Sequence, residues 1–455
     1  MKKKLLLSSL TIGLLSSVNV YAVEDLSAMF SEGKASGQIR EFSISRAYKY
    51  TDSSKDYTRT ANAVGGYLKY ETASLEGLSL GTAFYTTNGF GLGGNKAINK
   101  EVDHTLLGKD NEGYSILGEA YLQYKYGNTT FKGGRQKLDT PLAGTDDARM
   151  IPNLFEAYVL SNTDITNTTL LLAHVTKFAQ GTFGRVYSGS PESPTNQILA
   201  ATSGYSAVDD QNQVGDFVNM GNYAIGKTTD GVTAGAVIYK LNDNMNMQLW
   251  DYYAYDILNA MYGEINFKWN CLLSDTVHPF FSAQAIKENE IGDKLLGKVE
   301  GMYWGAKFGA DIENFQAYLA YSQADENGAT EASTQNAIIT PWGGMPAYTQ
   351  GMVTRHQFLA GTKASKIALA YNWKGFGPDL ATSVYYTNFE MAKYNGYTAD
   401  EDASESGFDV IYKPELVQNL SLRVRANFTT DYNVNITSKN TISWDEYRFI
   451  ANYNF

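Results

Sequence analysis

The chain has 455 residues, among them 42 Gly, 33 Tyr and a single Cys, and carries a net charge of −11. Charged residues make up 19% of it, against roughly 25% in ordinary globular domains. The aromatic content excludes a disordered chain, the lone Cys excludes a disulfide scaffold, and the acidic balance leaves no electrostatic footprint for nucleic acid.

Lys2, Lys3 and Lys4 precede a mostly apolar stretch from Leu5 to Val18, and Val20-Tyr21-Ala22 follows as a small-x-small site. This is the pattern of a secretory signal peptide, 1–22, cleaved after Ala22. The apolar stretch is shorter than the ~20 residues a spanning helix needs. Taking these 22 residues from 455 leaves 433, and the loss of three Lys takes the charge from −11 to −14. Residues 23–33 are expected as a short periplasmic segment and 34–455 as one domain. No uninterrupted apolar run of 18 residues occurs downstream, so the chain is either a soluble secreted protein or a membrane protein whose hydrophobicity is hidden by alternation.

Alternation is what the sequence shows. In Ser115 to Tyr126 the even positions carry Ile116, Ala120, Leu122, Tyr124 and Tyr126, and the odd ones Ser115, Glu119, Gln123 and Lys125. In Tyr253 to Trp269 the odd positions carry Tyr253, Tyr255, Ile257, Met261, Ile265, Phe267 and Trp269. Leu422, Val424, Ala426 and Phe428 alternate with Arg423, Arg425 and Asn427, and the chain closes on Tyr447, Phe449, Ala451, Tyr453 and Phe455. One face suits lipid, the other a watery lumen, with aromatics gathered at strand ends. An exposed strand ending in Tyr453 and Phe455 would aggregate in a soluble sandwich, whereas in a barrel it closes the wall. The predicted fold is all-β: a transmembrane antiparallel barrel in the outer membrane of a Gram-negative bacterium.

Alternating runs are predicted at 34–48, 61–72, 78–87, 113–126, 129–138, 154–161, 168–178, 214–226, 232–241, 252–269, 277–287, 301–310, 315–323, 354–373, 380–389, 406–413, 420–430 and 441–455. That count is eighteen, with sixteen the nearest alternative. Short turns at 73–77, 127–128, 227–231, 270–276, 311–314, 374–379 and 414–419 alternate with mostly long connections, which is the arrangement of short periplasmic turns and long external loops.

Closure brings the last strands beside the first. Arg40, Arg423, Arg425 and Arg448 then share one lumenal wall by parity, a basic ladder whose field is focused by low-dielectric surroundings. Arg135 and Lys137 extend it from another strand. The competing account is that these groups pair with Glu446 or Glu41 and brace the wall. Pro341 to Pro346 is a second candidate for folding inward, with an ordinary turn-rich external loop as the favoured account, and Gly91 to Gly94 reads as loop flexibility.

Nothing points to catalysis. The four histidines, His104, His174, His278 and His356, form no HExxH, and no G-x-S-x-G is present. No metal and no cofactor are expected.

Several stretches resemble the OprD-type family of outer-membrane porins, eighteen-stranded, substrate-selective channels. They are Gly37-Gln38-Ile39-Arg40, Gly65-Gly66-Tyr67-Leu68-Lys69-Tyr70, Gly81-Thr82-Ala83-Phe84-Tyr85, Gly134-Arg135-Gln136 with Thr140-Pro141-Leu142, Asp147 to Asn153, and Trp250 to Ile257. The likeness implies passive diffusion of small hydrophilic solutes, often carboxylate-bearing, through an eyelet narrowed by the third loop. It makes 139–153 the inward-folded loop, with Asp139, Asp146 and Asp147 facing the ladder and Arg149 beside them. It also makes Tyr453 and Phe455 the signal read by the barrel-assembly machinery. Expected partners are outer-membrane lipid, that machinery and small solutes; monomer and homotrimer are both compatible. The sequence leaves one other class open, a barrel acting mainly as a surface adhesin or structural protein.

Overall fold

The computed structural model describes residues 22–89, 102–186, 201–203, 214–393, 401–435 and 440–455. The expected signal sequence up to Tyr21 and the stretch Gly91 to Gly94 lie outside them. Eighteen strands build one wall: β1 (Lys34–Tyr50), β2 (Tyr57–Glu71), β3 (Leu78–Asn88), β4 (Tyr114–Tyr126), β5 (Thr129–Gln136), β6 (Leu154–Asn162), β7 (Thr168–Ala179), β8 (Val232–Asn242), β9 (Met245–Ala254), β10 (Leu258–Lys268), β11 (Val277–Glu290), β12 (Met302–Ile312), β13 (Phe315–Ala324), β14 (Lys363–Asn372), β15 (Asp379–Met391), β16 (Glu401–Lys413), β17 (Leu420–Asn435) and β18 (Asn440–Asn454). Each pairs antiparallel with the next, and β18 closes on β1 with Asn454 opposite Gln38 and Ile442 opposite Tyr50. Closure satisfies the backbone groups an open edge would leave unpaired in lipid.

The surface is inside out relative to a soluble protein. Leu160, Leu172, Leu249 and Leu319 are 43%, 53%, 59% and 61% exposed, whereas Arg46, Arg149, Glu405 and Glu446 are buried. No helix among the described residues is long and apolar enough to cross a membrane; the wall crosses with strands. The segment 23–33 carries α1 (Leu26–Ser31), capped by Asp25, and its Met29 carbonyl accepts from the Ala73 N–H at 2.9 Å in the turn between β2 and β3. At the other terminus the Phe455 backbone pairs with Gly37 in both directions, at 2.9 and 3.0 Å.

The strand count agrees with expectation, but through two errors that cancel. Residues 214–226 are no wall strand: they form a two-residue strand, Val218–Asn219, and α2 (Met220–Ile225). Asn219 caps this helix and Gly226 ends it at φ 71°, boundary signals that outweigh weak alternation. In compensation, the run 252–269 is two strands, β9 and β10, folded back at 255–257 where Asp256 takes φ 60°. The segment 227–231 is therefore part of a long connection and not a periplasmic turn, and β8 runs opposite to the expected direction. The run 354–373 also shortens to β14, leaving Arg355 in a loop.

In β4 the two faces exchange partway along. Ala83 pairs with Glu119 but Phe84 with Leu117, so Gly118 is an extra residue. Below this bulge Leu122 and Tyr124 are exposed; above it Leu117 is exposed and Ile116 buried, because a one-residue insertion reverses parity.

The lumen is filled by connections from one end of the barrel: loop 3 (137–153), the described parts of loop 4 (180–231), and loop 7 (325–362). Leu138 and Leu142 of loop 3, Met220 and Tyr223 of α2, and Ile338, Trp342 and Phe358 of loop 7 pack in one cluster with Trp250, Tyr252 and Tyr262 of the wall. Such burial, at about 25 cal/mol per Å² of apolar surface, holds these loops inside the barrel. The stretch 341–346 is accordingly no ordinary external turn: Trp342 is buried, its indole N–H donates to the Met220 carbonyl at 3.0 Å, and Gly144 donates to the Trp342 carbonyl at 3.2 Å.

Candidate functional site in the constricted lumen

One wall, from β14 to β18 and on to β1, carries Lys366, Arg423, Arg425, Arg448 and Arg40. Arg423 and Arg425 alternate with the lipid-facing Val424 on β17 and point at Asp409 of β16. Arg423 engages that carboxylate through Nε at 2.8 and 3.1 Å and through Nη2, while Arg425 Nε lies 3.2 Å from it. Two guanidinium groups thus share one carboxylate. Arg448 of β18 stands opposite Arg425, donates from Nη2 to Asn427 at 2.7 Å, and places Nε 3.0 Å from Glu446. Lys366 of β14 donates to the Gln350 carbonyl at 2.6 Å with its ammonium 4.8 Å from the centre of the Tyr385 ring.

Loop 3 supplies the acidic side. Asp139 accepts from the Thr145 N–H at 2.9 Å and its hydroxyl at 2.5 Å, which closes the loop on itself. Asp146, at φ 41°, binds Arg355 of loop 7 through both guanidinium nitrogens, at 2.9 and 3.2 Å. Asp147 binds both terminal nitrogens of Arg40 at 2.6 and 3.0 Å. Burial works to raise the Asp147 pKa, but the Arg40 guanidinium outweighs it and holds the carboxyl below its ordinary range. Between wall and loop lies a cavity of about 570 Å³, lined by Asp139, Asp146 and Asp147 on one side and by Lys366, Arg423 and Arg425 on the other, with Arg355 and Asp409 also at its surface.

The remaining expected residues sit elsewhere. Arg149 is fully buried and donates to Glu446 at 2.8 Å and to Thr105 at 3.2 Å; burial, opposed by Glu446 and reinforced by Arg448 and Arg46, lowers its pKa to about 10. It is a strut between loop 3 and β18. Glu446 also receives Arg46 at 2.8 Å, so three arginines converge on that carboxylate. Arg135 has the parity of the lipid-facing Phe131; it donates to the Leu117 carbonyl at 3.3 Å, lies 3.9 Å from Glu156 and covers the Phe217 ring at 4.3 Å. It lies next to the last residue of β5 and shares Glu156 with Lys177, whose ammonium is 3.0 Å from that carboxylate, and it does not line the cavity. Lys137 faces the lumen over the rings of Tyr67 and Tyr85, at 5.0 and 5.5 Å.

Reading the sequence missed Lys366, Arg355, Asp409 and Glu405. Lys366 alternates with the exposed Ile367 on β14, a signal available had 354–373 been bounded correctly. Asp409, among Gly407, Phe408 and Val410, carried the same parity signal. Arg355 belongs to an irregular loop and had no periodicity to reveal it.

A closed antiparallel barrel of eighteen strands with an apolar exterior and charged side chains in its lumen is an outer-membrane β-barrel. The sequence comparison is more specific: residues 28–186 and 198–455 match the model of the outer membrane porin, OprD family. The chain belongs to the OprD family and is placed in the outer membrane of a Gram-negative bacterium; such proteins are channels and not enzymes. No curated protein sequence matches it. Among solved structures it is similar to Pseudomonas aeruginosa OpdK with vanillate, at 14% identity and TM-score 0.73, covering 94% of this chain and 99% of that one. Pseudomonas aeruginosa OccK2 (OpdF) in complex with glucuronate matches at 15% identity and TM-score 0.70 over 94% and 99%. Acinetobacter baumannii OccAB3 matches at 18% identity and TM-score 0.71 over 94% and 100%.

Proposed function

We propose that the chain is a passive diffusion channel for small hydrophilic, carboxylate-bearing solutes, which cross the constriction between loop 3 and the basic wall. The observation that supports this reading is the cavity with Arg423, Arg425 and Lys366 on one side and Asp139, Asp146 and Asp147 on the other. Arg423 and Arg425 have a single shared carboxylate, Asp409, so that side keeps a net positive charge. Guanidinium groups bind carboxylates bidentately and stay charged at any working pH. Selectivity follows the narrowest point of a pore, so the −11 of the whole chain does not make it cation-preferring. Vanillate and glucuronate, present in two of the similar structures, are both carboxylates and serve as test solutes. Tyr453 and Phe455, with rings exposed at the chain end, are assigned to recognition by the assembly machinery.

The test is planar-bilayer recording of the purified barrel. Discrete ohmic steps are expected, blocked by such carboxylates, with Arg423→Gln/Arg425→Gln lowering anion over cation permeability. A folded barrel that conducts nothing overturns the reading.

A further inference from the structure

Loop 7 is 38 residues long (325–362) and contains only short turns, yet it places one guanidinium on Asp146. What holds it there is a wall residue. Glu405 of β16 is fully buried and does not line the cavity. Its Oε1 accepts from the Met352 N–H at 2.7 Å and from the Tyr385 hydroxyl, and its Oε2 accepts from the N–H groups of Val353 at 3.2 Å and Thr354 at 2.6 Å. Three successive backbone donors on one carboxylate make charge-assisted contacts that no neutral side chain reproduces. The preceding residue is Gly351, where a Cβ would lie 2.5 Å from Oε2; its absence lets the backbone come down onto the carboxylate. The residue after this held turn is Arg355.

Glu288 of β11 makes a single contact of this kind earlier in the loop, accepting from the Ile339 N–H at 2.8 Å. That contact is many residues from any charged group of the constriction, whereas the Glu405 turn adjoins one directly.

We propose that Glu405 is a positioning residue for selectivity: by fixing the turn 352–354 it delivers Arg355 to Asp146, and so sets how much of the loop 3 negative charge a passing ion meets. The inference rests on the constriction being the selectivity site. Glu405→Gln keeps the volume but turns one acceptor into a donor facing backbone N–H groups, which it must repel. Two consequences have opposite sign. Deleting a negative charge from the basic side, acting only through space, raises anion over cation permeability. Releasing Arg355 exposes Asp146 and lowers it.

The test is the zero-current potential in a KCl gradient, measured for full-length barrels whose folding is confirmed by their heat-modifiable gel mobility. E405Q is expected to lower the anion-to-cation permeability ratio ~2-fold, as one unit charge several Å from the path does in water. R355Q should lower it equally, and E405Q/R355Q no further, since residues acting in series are non-additive. Gly351→Ala, which disturbs the same turn from the backbone, should move the ratio the same way and carries the test if E405Q does not assemble. An unchanged ratio, a raised ratio, or additive effects in the double variant overturn the proposal. If R423Q/R425Q leaves the potential unchanged while E405Q shifts it, the basic-wall reading fails and the positioning role stands.

Discussion

Arg425 and Arg448 lie directly opposite each other in the β17–β18 ladder, both inside the lumen. Like charges placed across from one another destabilise a sheet, so stability alone does not account for the pair. Each leans on a different carboxylate, Arg425 on Asp409 at 3.2 Å and Arg448 on Glu446 at 3.0 Å, and in neither case is Nε aligned for a hydrogen bond. The wall therefore holds more positive charge than its partners neutralise.

Asp409 sets how much. Asp409→Asn leaves Arg423 and Arg425 without a counter-charge at the cavity and is expected to raise the anion-to-cation permeability ratio ~2-fold, one unit charge beside an aqueous path. Zero-current potentials check this, and Arg425→Gln should move them the opposite way. A shift of the same sign in both variants contradicts the assignment.

Arg40 carries loop 3. Arg40→Gln removes both bonds to Asp147 and the bond to the Arg149 carbonyl, and should lower stability by ~1–2 kcal/mol, discounted because Asp147 is partly exposed. Open-channel current noise should rise as loop 3 loosens. Asp147→Asn should cost less, because Arg40 keeps Asn452 at 2.9 Å. Because Asp147 has its pKa depressed in the folded state, this pair is intact above the ordinary carboxyl range and is lost only as pH falls below it. Thermal denaturation of both variants, followed by gel mobility, separates the two costs.

Glu446 gathers Arg46, Arg149 and Arg448 in a site without solvent. Arg46 keeps Asp103 at 3.5 Å, but Glu446→Gln leaves the buried Arg149 and Arg448 guanidinium groups without their carboxylate and is expected to cost ~3–5 kcal/mol, the range for breaking buried pairs. A melting temperature within a degree of the parent would contradict this.

His356 of loop 7 donates from Nε2 to the Tyr432 carbonyl at 2.6 Å and packs against the rings of Phe389 and Tyr432. Burial pushes its pKa down to about 4 from 6.5. The folded state thus binds fewer protons than the unfolded one. Its contribution is complete above pH 6.5 and is lost as pH falls toward 4, on the order of 3 kcal/mol in all. Melting temperature recorded from pH 7 to pH 4 should fall for the parent and fall less for His356→Gln.

The wall was legible because its physics is local. Lipid on one side and water on the other impose a two-residue period, and each of Arg40, Arg423, Arg425 and Arg448 declares its side by its neighbours. Asn219 and Gly226 were equally legible as helix caps and were overlooked, while Asp256 turns the chain inside an apolar run by a left-handed backbone that alternation does not register. The bulge at Gly118 reverses a face for the same reason: one inserted residue leaves composition unchanged.

By itself the sequence determined the barrel, its closure through the last strand, and a lumenal wall rich in arginine, since these follow from alternation and chain order. The three-dimensional structure decided what that wall confronts. That Asp146 meets Arg355 across 209 positions, that Arg149 is buried against Glu446, and that Glu405 accepts from the loop 7 backbone all depend on how loops 3 and 7 pack inside the barrel. Irregular loops have no period, and their partners are chosen by shape and charge at long range.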